Sequence, residues 1–220
     1  MTRTITLLIF GLSIIGCKHQ NDKLSSTKNE LDSLDYVVIS YAIDQYIFHP
    51  KTLSHRFENT NDPSTEIDEH FKSEIIKMLL IMDSTYLHLD TISQYVINSH
   101  SEIDTSDNTL INKIIEVNNR RFKIDNSKIT SFKTQLISFN EITAFFDSTA
   151  YYGYVKLYEK YPTAYGIVDI SKPAFNDNMD KAIIYLSLSK GPDSAKGDLL
   201  WLRKINDKWI VYDLVFLWIS

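Results

Sequence analysis

Residues 182–219 read AIIYLSLSKGPDSAKGDLLWLRKINDKWIVYDLVFLWI. Three runs rich in aliphatic, aromatic and β-branched residues stand out: Ala182 to Ser189, Leu199 to Ile205 and Trp209 to Ile219. Each has strand length and is bounded by turn formers. Asn206 and Asp207 both tolerate positive φ, so they predict a tight hairpin between the last two runs. Gly191-Pro192 and Gly197 read as the bounds of a longer loop between the first two. A further run, Gly166 to Ile170, precedes them. Consecutive strands at the C-terminal end, with helical spacing earlier in the chain, predict an α+β domain. Its helices are expected on one face of a curved, mainly antiparallel sheet that ends in a β-meander. Trp201, Trp209 and Trp218 alternate along the runs and are expected to pack beneath the helices.

Upstream, Leu34, Val37, Val38, Tyr41, Ala42 and Tyr46 fall at helical spacing, with Asp32 or Ser33 as cap and Pro50 as stop. Residues 51–66 read as a loop, or a short strand near His55–Phe57, and Glu66 to Ile76 as a short helix. Met78-Leu79-Leu80-Ile81-Met82 is apolar at every position, the pattern of a strand buried on both faces. Leu110, Ile111, Ile114, Ile115 and Asn118 predict an amphipathic helix, and Ile129 to Ile137 a strand. Ser138 and Glu141 have capping-box spacing before Ile142 to Phe146. Tyr154, Leu157 and Tyr158 suggest a last helix, ending before Pro162.

At the other end, Arg3 precedes a mostly apolar stretch from Thr4 to Ile15. That is a signal-peptide core, too short to span a bilayer as a helix. It closes on Ile14-Ile15-Gly16-Cys17, which resembles the bacterial lipoprotein box. The small Gly16 suits a peptidase cleft, and the Cys17 thiol is the acceptor for a diacylglycerol. Cys17 is the only cysteine, so no intramolecular disulfide forms. The expected organisation is a leader at 1–16, a lipidated polar tether at 17–30 and one domain at 31–220. Two or more acyl chains hold a protein stably on a membrane. No aspartate directly follows Cys17, which favours the outer membrane and leaves its periplasmic and surface sides both open.

Composition narrows the function. The chain has 220 residues, a formal charge of −5 and a pI near 5.7, the wrong sign for a nucleic-acid binder. Glycine (six) and proline (five) are scarce, which removes collagen-like and low-complexity readings. The histidines at 19, 49, 55, 70, 88 and 100 contain no i, i+3 or i+4 pair, so neither a metal nor a cofactor is expected. Ser25-x-x-Lys28 and Ser106-Asp107-Asn108 match two signatures of penicillin-binding proteins, but Ser25 falls in the tether and no Lys-Thr-Gly follows. Gly191-Pro192-Asp193-Ser194 lacks the strand-to-helix setting of a nucleophile elbow.

From Tyr158 onward the chain resembles a group of bacterial secreted proteins and lipoproteins of unknown function. The residues that carry this are Tyr158-Glu159-Lys160-Tyr161-Pro162, Gly166-Ile167, Ser171, Phe175-Asn176, Ala182 to Tyr185, Gly191, Gly197 and Lys208-Trp209. Leu80 to Thr85 echoes the group's aliphatic-Asp-x-Thr strand end, and Asn118 and Asn119 its asparagine after a helix. Ala174 stands where the group has glycine, and residues 191–197 lack the cysteines some members carry. The match is specific over 158–209. It implies one domain at an extracytoplasmic address and nothing catalytic.

Two sets of residues are candidates for function. Asp83 and Thr85 follow a buried strand, where sites often sit. Tyrosines 151, 152, 154, 158, 161 and 165 form a dense zone, and tyrosine offers an apolar face with a hydroxyl at low entropic cost. Asp83, Thr85, Tyr158, Tyr161 and Tyr165 are the expected ligand contacts. The leading expectation is a lipid-anchored binding or interaction domain whose partner is an envelope protein or a small ligand. Rival readings are an immunity-type inhibitor of a toxin, and an envelope hydrolase using Asp83, Asp169 or Asp213. The hydrolase requires two carboxylates to converge.

Overall fold

The computed structural model describes residues 29–48, 78–85, 105–131, 133–147 and 149–220. Cys17, residues 18–28 of the tether, Pro50 and the elements expected between 51 and 76 lie outside these residues, while Asn29 and Glu30 at the end of the tether lie against Lys123.

Helix α1, Ser33–Phe48, starts on a reciprocal cap. Asp35 N–H donates to Asp32 Oδ1 and Asp32 N–H to Asp35 Oδ2, both at 2.9 Å. Two otherwise orphaned donors are thereby satisfied, with aspartate in the third-position role that glutamate commonly fills. Of the two caps expected, Asp32 acts. Tyr36, Val38, Ile39, Ala42, Ile43, Tyr46 and Ile47 are buried and Val37 is half-exposed, so α1 is a core helix.

Strand β1, Met78–Met82, is buried at every residue, as its composition predicts. It lies between β2, Thr134–Ile137, and β3, Ala164–Ile170, parallel to both. Strands β4 (Ala174–Phe175), β5 (Lys181–Gly191), β6 (Ser194–Ile205) and β7 (Lys208–Ile219) add antiparallel pairings. The sheet runs β2-β1-β3-β5-β6-β7, with β4 paired to β5. This is the α+β class with a C-terminal meander. Asn206 and Asp207 turn the last hairpin at φ 49° and 61°.

The remaining helices are α2 (Thr105–Val117), α3 (Phe139–Phe145) and α4 (Ala150–Lys160). Strand alternation distributes the four over both faces, which corrects the one-face expectation. Leu79, Ile81, Val168, Ala182, Ile184, Leu200 and Val211 pack with α1. Ile183, Tyr185, Leu199, Trp201 and Val215 point the other way, onto α2, and Met78, Leu80, Met82 and Ile167 onto α3 and α4. Strands apolar on both sides need both faces covered.

Three local expectations change. The 191–197 stretch is no loop: Gly191 pairs with Ser194, and Pro192-Asp193 alone make the turn. Gly197 lies inside β6, where a Cβ would sit 2.2 Å from Trp218 Nε1, so this glycine makes room for an indole. Trp218 is itself 38% exposed at the sheet edge rather than beneath a helix. Finally, only Thr134–Ile137 of the run 129–137 forms a strand. Thr130 N–H donates to Ser40 Oγ and Ser131 Oγ to Asp44 Oδ1, which ties this stretch to α1 instead of a neighbouring strand.

Candidate functional site

The sequence around α4 separates into two faces. Thr149 caps the helix by accepting the Tyr152 N–H. Gly153 and Leu157 turn inward, and Gly153 is needed because a Cβ there would meet the Phe146 ring at 2.3 Å. Tyr151, Tyr154, Val155 and Tyr158, at i, i+3, i+4 and i+7, form one outward stripe. The β5–β6 turn supplies the facing wall through Lys190, Gly191 and Pro192, and Glu159 completes an open groove of about 470 Å³. This lies within the size range of small-molecule sites.

The groove tyrosines are held in place. Tyr158 Oη donates to the Lys190 carbonyl at 2.8 Å, and the Tyr154 hydroxyl shares a hydrogen bond with Ser189. The two rings lie within 24° of parallel, with centroids 6.2 Å apart. Burial, with Tyr154 and Tyr165 alongside, pushes the Tyr158 hydroxyl up to about 12, so it stays a neutral donor at physiological pH. Burial likewise raises Tyr154, against the hydrogen bond from Ser189. Tyr151 is 65% exposed.

Of the residues expected to contact ligand, Tyr158 alone lines this groove. Tyr161 turns to α3, where its hydroxyl donates to Glu141 Oε1 while Lys160 pairs with the same oxygen at 2.7 Å. These hydrogen bonds, Lys160 first, hold the Glu141 carboxyl below its usual range. Glu141 therefore serves α4, and the expected capping box is half-formed: Ser138 accepts the Glu141 N–H with no return bond. Tyr165 packs toward α1, with Lys190 Nζ 5.1 Å above its ring.

Thr85 is fully buried. Its hydroxyl accepts the Phe122 N–H, and its own N–H donates to the Phe122 carbonyl, each at 2.9 Å. Asp83 likewise acts through its backbone, donating to Ile137 and accepting from Ile124. Asp83 and Thr85 thus form a junction between β1 and residues 122–124, remote from the tyrosine groove.

The three aspartates considered for hydrolysis occupy separate places. Asp169 on β3 and Asp213 on β7 are three strand spacings apart, about 14 Å across the sheet, and are further offset along the strands, because Asp169 is level with Gly197 of β6 and Asp213 with Trp201. The parallel register sets Asp83 level with Ile170, whose side chain lies on the α1 face, while Asp169 points to the other. Asp169 sits beside Ser187, whose Oγ lies 3.5 Å from its carboxylate. Burial raises its carboxyl, opposed by Ser187 and more distantly by Arg121. Asp213 accepts the N–H of Leu214.

Two other carboxylates are buried outside the groove. Asp35 pairs with Lys172, and Asp198 accepts the Tyr46 hydroxyl with Lys196 Nζ 3.7 Å away. Among the described residues there is no group of three side chains suited to a metal, and no helix long and apolar enough to cross a membrane. All six histidines and Ser25 lie outside them. The sequence reading missed Val155, Glu159, Lys190 and Pro192. The helical stripe 151-154-155-158 is a usable signal for Val155, and Glu159 follows it at i+4. The wall from Lys190 to Pro192 required knowing that the turn was tight.

No protein-family model, no curated protein and no solved structure matches the chain.

Proposed function

We propose that this protein is a lipid-anchored binding domain of a bacterial envelope, held by acylated Cys17 and contacting its ligand through the tyrosine groove of α4. The observation that carries the binding role is the groove in which the pinned, half-buried rings of Tyr154 and Tyr158 lie beside the exposed ring of Tyr151. Rings whose positions are already fixed, as those of Tyr154 and Tyr158 are, cost little further entropy when they bind. The lipoprotein box at Ile14–Cys17 and the polar tether support the anchoring.

The position of the groove agrees with this. The chain enters the domain where Glu30 and Ser84 both bridge Lys123, just past the end of β1. The groove lies at the start of the parallel strands β1 and β3, where Ile167 pairs with Ser189 next to Lys190. The six residue steps from Met78 to Ser84 separate the two ends by about 20 Å along the strands. A ligand in the groove would meet the end of the domain opposite its attachment.

Two comparisons test this reading. The Cys17→Ala chain is expected in the soluble fraction, and its retention on membranes without acyl chains would defeat the anchoring. A photo-cross-linker placed at Val155 is expected to capture an envelope component that the same probe at Lys208 does not. Equal recovery from both positions would remove the groove as the binding surface.

A further inference from the structure

Resting on that reading, we infer that the groove recognises a neutral oligosaccharide, with a pyranose ring laid against the tyrosine rings of α4. The argument begins with what the groove can still offer a ligand. The Tyr158 hydroxyl donates to the Lys190 carbonyl and the Tyr154 hydroxyl accepts from Ser189, so both polar ends are tied to the wall of the groove. Extended and polyproline-type peptides dock on aromatic-lined grooves as preformed backbone helices whose carbonyls need donors. With the Tyr158 hydrogen already engaged, the two tyrosines offer one donor between them, too few for a row of backbone carbonyls. What they present is apolar ring surface, held in near-parallel planes.

A pyranose matches that surface. One face carries C–H groups that stack on an aromatic ring, and hydroxyls radiate from its edge, donating and accepting. The rim of the groove has one group of each kind for them. Lys190 supplies an ammonium, which also reaches the Tyr165 hydroxyl at 3.5 Å, and Glu159 an exposed carboxylate. One positive and one negative charge give no preference for an acidic or basic ligand, which is why the sugar is neutral. The open form of the groove suits a segment of a longer chain rather than an enclosed monosaccharide. Because little of the ligand is buried, affinity is expected to be weak, with a Kd on the order of 0.1–1 mM for a tetrasaccharide.

The test is saturation-transfer NMR on the acylated chain in detergent. Its probes are chitotetraose, maltotetraose and cellotetraose, with a decaproline peptide and an acidic oligogalacturonide for comparison. Transfer to the C–H protons of one sugar face is expected for at least one neutral tetrasaccharide. Tyr151→Ala should weaken it at least fivefold without unfolding the chain, since that ring is largely exposed. Tyr158→Phe, which keeps the ring and loses the inward hydrogen bond, should retain it within about twofold. Selective binding of decaproline or the oligogalacturonide through the same tyrosines would overturn the sugar assignment and leave the groove as a binding surface. Sugar binding unaffected by Tyr151→Ala would overturn the assignment to this groove. If no probe binds while the Val155 cross-linker still captures a protein, the sugar assignment fails alone. If neither happens, both readings fail.

Discussion

Lys172 Nζ lies 3.0 Å from Oδ2 of Asp35, a carboxylate only 1% exposed, and the same ammonium sits 4.6 Å above the Phe122 ring. The backbone of Lys172 is fixed as well, because Asn118 accepts its N–H and donates to its carbonyl. Lys172, two residues past the end of β3, thus ties α1, the end of α2 and the 122–124 segment to the sheet.

Lys172→Met should therefore be costly, because it strands a buried charge. Breaking such a pair from one side typically costs about 3–5 kcal/mol. The pH dependence has a definite sign. Burial holds the Asp35 carboxyl above its unfolded value, so the folded state keeps the proton more readily. The penalty of Lys172→Met should be full at pH 7 and shrink as acid protonates Asp35. Urea unfolding of both proteins at pH 7 and pH 4 checks this, and an equal penalty at the two values would be evidence against the buried pair.

A second buried carboxylate gives a separate expectation. Asp198 accepts the Tyr46 hydroxyl and joins the last turns of α1 to β6. Burial raises the Asp198 carboxyl, while the Tyr46 and Lys196 contacts lower it. Tyr46→Phe keeps the ring in the core and removes one hydrogen bond to a charged group, a loss of about 1.5–3 kcal/mol. In the background of Asp198→Asn the same change should cost less. A double-mutant cycle that returned no coupling would separate the two residues energetically.

The sequence was most legible where a local pattern has one physical solution. The all-apolar run Met78–Met82 could only be a strand covered on two sides, and Asn206-Asp207 only a tight turn. Yet the same two-sided burial, read across β5 and β6, already required helices on both faces, a step the one-face expectation did not take. Gly197 was illegible for another reason: a glycine that punctuates a loop and one that admits an indole look alike without knowing which strand lies opposite. The site was half-legible. Tyr158 follows from helical spacing, whereas Tyr165 was grouped with it by proximity in the chain. A register irregularity between Ala164 and Ile167 turns Tyr165 to the α1 side. Thr85 sits at a strand end, as expected of a site residue, but its partner Phe122 lies 37 residues away in the chain.

The close approach at Gly197 gives a test that a loop glycine would pass unharmed. A Cβ there would fall 2.2 Å from Trp218 Nε1 and 2.8 Å from the Tyr185 hydroxyl. Those two groups are joined by a 3.1 Å hydrogen bond. Gly197→Ala should destabilise by about 1–3 kcal/mol, the usual range for overpacking, and shift the tryptophan emission as Trp218 is displaced. Adding Trp218→Ala should restore much of the Gly197→Ala loss. Without that rescue, the steric account of Gly197 fails.

Asp169 separates a carboxylate kept for function from one kept for stability. Its nearest side-chain partner is Ser187 Oγ at 3.5 Å, a weak compensation for a carboxyl that burial holds above its usual range. A group with a raised folded-state pKa costs the protein stability above that value, because the unfolded chain ionises more easily. Asp169→Asn removes the charge and keeps the shape, so thermal stability at pH 7 should rise. The gain should fade as pH falls toward the unfolded carboxylate range and the wild-type residue becomes neutral too. Equal stability at both ends would mean that Ser187 and Arg121 already offset the burial. A loss at pH 7 would make the charge a structural requirement, tying Asp169 to Arg121. With the expected gain, a carboxyl that weakens the fold stands within electrostatic reach of Tyr154 in the groove wall, and ligand titration of Asp169→Asn would then measure whether that carboxyl serves binding.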